Sequence, residues 1–544
     1  MIFNYRYSGS STVSSSSKSV GMSFAPDTFR EPTFFVGQLG KHIPFREAIS
    51  ALHDVVISDM RYTPKDRADY QAWLAEMEPI WVAEYMAKAG EIKAQVDAKK
   101  VELAAVRQAK QAHMAPFYKA RRRYFDYLYK KDYNAWYVFD PVITVHPDNI
   151  FFECFSLDES TYGKLSCNYN VFKNIDEFAC GTTNIDYSWP LYNEFQKIRD
   201  YKETELKVDP SGFEVQTEGE ESYKEVKIDL PASWVRGFLQ VSSAMTMPAR
   251  SFDLHPMDVH NILFILRRFK AKVSPRSIRF HLKPGHPVRA VFEPWGKEII
   301  CHRSIYEGEP DEIRIWGRRR LLTLERLIPI SKKFRVTLLG TGMPSFWVAD
   351  LGDMSYTLGL SGWSANDWSR MGNFDLLAPR LQVDSMTQQR VYSALKENWR
   401  EDTDALAKRM GLDRSVVLGA LGTFCQAGRA IYDMDNQLWR IRELARDPLP
   451  MSELRFANPN EEAANKLVAS QRVRITETNQ VRDGIEIKGM VKDGDHTYYP
   501  TITIDADERM VRPTCTCNFY QQNKLYKGPC PHMLALRMAY KKSQ

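Results

Sequence analysis

Apolar residues recur at helical spacing between 45 and 128, as at Ile92, Val96, Leu103 and Val106. They predict helices over 66–78 and 80–129, with Pro79 between them and Pro116 as a further break. From 135 to about 230 the pattern is mixed: aromatic runs at 136–139 and 150–155 read as strands, and the acidic run 216–221 as a solvent loop. Helices follow at 233–245 and 257–269, the second with Pro256 at its first position. Short runs bounded by Gly or Pro, at 278–282, 288–292, 313–316, 321–324 and 336–339, read as an antiparallel sheet. Three more helices are expected at 385–399, 404–410 and 414–427, the second ended by Gly411 and the third capped by Asp413 and ended by Gly428. Val416, Val417, Ala420, Leu421 and Phe424 make the apolar face of the third. Strands at 430–433 and 437–442 come next. Period-2 alternation at 473–475, 485–487 and 498–504, with turns at Asp483-Gly484 and Asp493-Gly494, predicts a small β domain before a helix at 533–539.

At 544 residues the chain is too long for one core, and three or four domains are expected. The fold class is α+β multidomain. A Ser-rich, disordered tail is expected over 1–30, because its serine tract at 8–19 has nothing to bury. A long-helix region follows at 31–134, then a central mixed α+β region with an antiparallel sheet at 135–380. Residues 381–446 run helix, helix, tight turn, helix, β-hairpin, the order of a winged helix. In such a module Arg414 and Ser415 open the third helix, where DNA-binding versions meet the major groove and others make protein contacts. The last module, 461–544, is the small β domain.

That domain ends in the clearest chemistry of the chain. Cys515-Thr516-Cys517 is followed after twelve residues by Cys530-Pro531-His532, a C-x-C-x12-C-x-H pattern. Three thiolates and one imidazole are the ligand set of a closed tetrahedral zinc site, and one intervening residue lets both members of a pair face one ion. The loop 518–529 brings the pairs together, and the helix at 533–539 anchors His532 in its first turn. Over residues 461–540 the motif and its preceding strands resemble a SWIM-type zinc finger. The run from Gly340-Thr341-Gly342 to Gly352, with Gly359-Leu360-Ser361-Gly362 and Asn366-Asp367-Trp368, extends the likeness to bacterial SWIM proteins encoded beside MoxR-type AAA ATPases and von Willebrand A proteins. That resemblance implies an adaptor with those two protein partners.

Charge adds little. Lys+Arg 74 against Asp+Glu 68 gives a net charge of +6, which permits nucleic-acid contact without announcing it. Locally, Lys99, Lys100, Arg107, Lys110, Arg121, Arg122, Arg123, Lys130 and Lys131 form a basic helix face, either solvated or a docking surface. Lys524 and Lys527 lie between the two zinc-ligand pairs and, with Arg414 and Ser415, are the candidate nucleic-acid contacts. No apolar run reaches the ~20 residues of a membrane helix. Five cysteines outside the motif, Cys154, Cys167, Cys180, Cys301 and Cys425, suit free thiols, and a cytoplasmic location is expected. Gly340-Thr341-Gly342 lacks the following helix a phosphate loop needs. His255/His260 and His281/His286 do not share a helix face, and Asp350, Asp353, Asn366 and Asp367 are only a loose acidic stretch. With no nucleophile or acid/base constellation in view, the expected protein is a non-enzymatic, zinc-binding adaptor. The alternative is a DNA-binding protein using the winged helix and the zinc module.

Overall fold

The computed structural model describes residues 33–58 and most of 141–543, with strands also at Thr12–Ser15 and Ser19–Phe24. Residues 59–140, 209–231 and 445–458 are the longest stretches outside the described residues. The helices expected at 66–129, their basic face, the strand at 136–139 and the loop at 216–221 therefore lie outside them.

An eight-stranded antiparallel sheet forms the centre, in the order Arg250–Leu254, Lys333–Leu338, Ser345–Asp350, Met354–Leu360, Thr161–Asn168, Asn149–Phe155, Val142–Val145, Gly181–Asn184. Asn149–Phe155 is buried at every position, which is why its sequence is a continuous apolar run and not an alternating one. Successive side chains take opposite faces. On one face Phe152 meets Phe45 of the helix His42–Val56 (6.4 Å), and the Cys154 thiol lies 3.7 Å from the Leu52 carbonyl. On the other, Phe155 packs on Trp234 and Phe238 (5.6 and 4.7 Å) of the helix Ala232–Met245. Each such large apolar side chain contributes about 1.5–3 kcal/mol on burial.

A second antiparallel sheet runs Lys297–Tyr306, His286–Phe292, Ile278–Leu282, Asp311–Ile315. Its Phe280 meets Phe252 and Trp347 of the central sheet (5.6 and 6.1 Å). Pro256 does open the helix Pro256–Arg268, with His255 as its cap. The strand expected at 321–324 is instead part of a 3-10 helix, Arg318–Ile330. Leu321, Leu324 and Leu327 recur every third residue and are buried, and three residues per turn stack them on one side. The Ser-rich stretch is also corrected: Thr12–Ser15 pairs with Ser19–Phe24, which runs parallel to Glu203–Val208. Main-chain pairing to a neighbouring strand needs no apolar side chain, so composition alone misjudged it. Gly340-Thr341-Gly342 leads into the strand Ser345–Asp350, and the Gly342 N–H is taken by the Arg314 carbonyl (3.0 Å).

Helices Ser385–Asn398, Thr403–Met410 and Arg414–Gln426 pack with a three-stranded sheet ordered Arg400–Glu401, Leu438–Ile441, Ala430–Asp433. Gly411 (φ 64°) closes the second helix in the left-handed conformation that glycine adopts freely. Asp413 precedes the third, but its side chain caps nothing; its carbonyl accepts from Val416 and Val417 (3.1 and 3.2 Å). Val391, Leu395, Leu406, Val417, Leu421 and Trp439 make the core. Leu421→Ala is expected to lower the stability of this region by about 2–5 kcal/mol, read as the shift of its urea transition. Among the described residues no helix is long and apolar enough to cross a membrane, and all eight cysteines are free thiols.

Candidate metal centre

The C-terminal sheet is ordered Val473–Val481, Gly484–Asp493, Thr501–Ile504, Met510–Thr514, with His496–Tyr498 also paired to Gly484–Asp493. Ile487, Val491, Ile502 and Met510 are buried, as are Met533, Leu534 and Leu536 of the helix Pro531–Ser543. A helix at Pro459–Ala469, absent from the sequence expectation, completes the layer, and Asn460 Nδ2 donates to the Pro529 carbonyl (3.2 Å) beside Cys530. The domain is tied to the body through Met510 N to Leu377 O and Arg509 Nη1 to Thr246 O (both 3.2 Å) and through Arg482–Glu309 (3.4 Å).

Cys515 and Cys517 stand between the strand Met510–Thr514 and a short helix, Asn518–Asn523, in what was expected to be loop. Cys517 caps that helix: its Sγ accepts from the Tyr520 N–H (3.4 Å). Gln521 Nε2 donates to the Cys515 carbonyl (2.9 Å), and Tyr499 N donates to Thr516 Oγ1 (3.0 Å), so both sides of the Cys-x-Cys turn are held. Cys530 immediately precedes Pro531–Ser543, which carries His532 in its first turn as expected. All four residues are buried, and their ligand atoms lie within 4.8 Å of one another. His532 Nδ1 is 3.9 Å from both Cys515 Sγ and Cys530 Sγ. Tetrahedral bonds of about 2.3 Å to sulfur and 2.0–2.1 Å to nitrogen imply ligand–ligand edges of about 3.5–3.8 Å. The four atoms therefore surround a volume of the right size for one Zn2+.

The groups of the cluster strongly perturb one another's protonation. Hydrogen bonds from Cys515 and then Cys530 hold the Cys517 thiol far below the usual range. Its neighbours Cys515 and Cys517, with burial, push Cys530 far above it. Burial opposes a charged His532, but the contacts with Cys515 and Cys517 outweigh it and raise the imidazole to about 10. Such a set of thiols gains most when a dication replaces the protons, and metal loading releases them. With four protein ligands the site has no open position, which makes the zinc structural.

Outside the ligands, each candidate contact is described by its own neighbours. Arg414 pairs with Asp404, and Ser415 is half-buried at the start of Arg414–Gln426. Lys524 lies over the Tyr520 ring (4.9 Å) with Nζ 3.3 Å from Gln521 Oε1, and Lys527 is half-buried in the same loop. Two residues the motif did not reveal complete the surroundings of His532. Tyr498 lies against its ring (4.4 Å between centroids, tilted 31°), and Asp493 Oδ2 is 3.3 Å from Nε2. Asp493 had shown itself only as half of an Asp-Gly turn.

No curated protein matches the chain. Among solved structures, Proliferating Cellular Nuclear Antigen from Entamoeba histolytica aligns over 60% of this chain and 97% of its own at 8% identity, with a TM-score of 0.31, too low to assign a fold. The SWIM zinc finger family model matches residues 501–541. With Cys515, Cys517, Cys530 and His532 gathered inside that stretch, residues 501–541 are a SWIM-type zinc finger fitted to one structural Zn2+.

Proposed function

We propose that the chain is a non-enzymatic interaction protein, a cytoplasmic adaptor that works with a MoxR-type AAA ATPase and a von Willebrand A protein. The observation that carries this reading is the closed, buried Cys3His cluster. A zinc without an open position polarises no substrate and activates no water, so its use is to hold a surface in shape. The elements at 385–441 are read as a winged helix turned to protein contacts. Its hairpin strand Leu438–Ile441 carries Arg440, buried between Asp433 (2.7 Å) and Asp148 (2.8 Å), and so is committed to the body and not free to enter a DNA groove. The basic triplet Arg318-Arg319-Arg320 is likewise mostly spent internally. Arg318 donates to the Ser277 and Glu293 carbonyls and covers Trp295 (4.9 Å), while Arg320 lies buried 3.6 Å from Asp158.

DNA binding is the second reading, favoured by one feature. From residue 509 onward the chain carries Arg509, Arg512, Lys524, Lys527, Arg537, Lys541 and Lys542 and no Asp or Glu. Of these, Arg537 is buried and Arg509 is paired with Asp505 (2.8 Å). Affinity purification of the full chain from its native cell, with and without nuclease, separates the two readings. The adaptor reading expects the same protein partners after nuclease treatment. A salt titration by fluorescence anisotropy supplies the DNA arm. Each neutralised phosphate contributes about 0.9 to the slope of log K against log salt, so contacts from Arg414, Lys524 and Lys527 give a slope of about −3 or shallower. Tight, sequence-selective binding that persists at high salt would replace the adaptor reading.

A further inference from the structure

The imidazole of His532 has two nitrogens, and the Cys-x-His pattern does not say which one meets the metal. The surroundings do. Nδ1 faces the Cys515 and Cys530 sulfurs at 3.9 Å, and Nε2 faces the Asp493 carboxylate at 3.3 Å. An ionised carboxylate only accepts hydrogen bonds, so the nitrogen beside it carries the proton and the other keeps its lone pair for a metal. With zinc bound, the opposite tautomer would point an N–H at the cation and a lone pair at the carboxylate, both unfavourable, and a flipped ring would offer only C–H groups to each. The Tyr498 ring, inclined 31° to the imidazole, limits tilting but treats both nitrogens alike, so it cannot choose between them.

We propose that Asp493 is the positioning residue of the zinc site, fixing His532 as a ligand through Nδ1 by accepting the Nε2 proton. The proposal rests on the assignment of zinc to the Cys515, Cys517, Cys530, His532 cluster. Asp493 is supplied from outside the ligand motif. It ends the strand Gly484–Asp493, where Gly494 (φ 59°) starts the turn back to His496–Tyr498. That hairpin brings Asp493 and Tyr498 to His532 from a part of the sheet 39 residues earlier in the chain. A carboxylate on the far nitrogen of a ligating histidine both orients the ring and raises its basicity, and losing one typically costs about 10–100-fold in metal affinity. The Asp493 side chain is 52% exposed, so replacing it removes a hydrogen bond without opening a cavity.

The test uses the full, zinc-loaded chain and the variants Asp493→Ala, Asp493→Asn and Asp495→Ala. Zinc affinity is measured by chelator competition, and long-range proton–nitrogen correlation of the His532 ring reports which nitrogen holds the proton. Asp493→Ala is expected to bind zinc about 10–100-fold more weakly. Asp493→Asn, which keeps an acceptor oxygen, should retain part of that loss, and the exposed neighbour Asp495→Ala should match the parent. The parent should show the proton on Nε2. A proton on Nδ1, an Asp493→Ala affinity within twofold of the parent, or an equal loss in Asp495→Ala would each overturn the proposal. Absence of zinc from the purified parent chain would overturn the zinc assignment as well, which separates the two failures.

Discussion

Cys530→Ser is expected to release the zinc and to open residues 461–540 to protease while the rest of the described body resists. Serine offers a hard, protonated hydroxyl where the site needs a soft thiolate, and three ligands hold a structural zinc poorly. The loss is large because the binding free energy of a structural zinc is folding free energy, about 10–16 kcal/mol apparent in small zinc domains. The domain has little else. Ala464, Leu467, Ile487, Val491, Ile502, Ile504, Met510, Met533, Leu534, Ala535 and Leu536 form a thin layer, and the strand Val473–Val481 is exposed over most of its length. A core of that size rarely supplies more than about 3–5 kcal/mol in a domain below about 80 residues. Metal analysis and limited proteolysis of the parent and variant check it. Unchanged zinc in the variant would remove Cys530 from the ligand set.

Arg442→Ala is the second large effect, about 3–5 kcal/mol of destabilisation. Arg442 is fully buried, with Nη1 3.3 Å from both oxygens of the equally buried Glu153, Nη2 3.1 Å from Ser242 Oγ, and its guanidinium 5.0 Å over Phe238. Tyr162 OH also donates to Glu153 (2.7 Å). Removing the arginine leaves a carboxylate out of water with one hydrogen bond, and that uncompensated charge dominates the cost. Replacing both members by apolar residues, as in Glu153→Leu with Arg442→Met, should recover most of the loss. Urea denaturation of the singles and the double separates the pair from the packing of its stems.

A second buried network, around Asp433, has its own acid limit. Burial opposes ionisation of Asp433, but Lys164 and Arg440 outweigh it and hold the carboxyl far below its ordinary value. A depressed folded-state value means that its contribution is complete above the unfolded value of about 3.9 and is lost only as pH falls through the lower folded one. The Asp433–Arg440 link therefore persists through mildly acidic conditions.

The chain by itself determined what local spacing can specify. Cys515, Cys517, Cys530 and His532 were legible because a metal site built from two short-range pairs leaves a fixed pattern in sequence. The helices around 256–268 and 385–426 were legible because a buried face repeats at the helical period and glycine or proline marks the ends. Tertiary structure decided whatever depends on a partner far along the chain. Nothing in the run Arg318-Arg319-Arg320 marks two of its charges as internal, yet Ser277, Glu293 and Asp158 draw Arg318 and Arg320 inward. Leu321 and Leu324 fit a strand or a 3-10 turn equally, and burial chose the turn. Glu153 and Arg442 lie 289 positions apart, and Asp493 reaches His532 only because a hairpin folds back over the zinc site. A desolvated charge or an oriented imidazole is an energy of the assembled interior, and short-range periodicity carries no record of it.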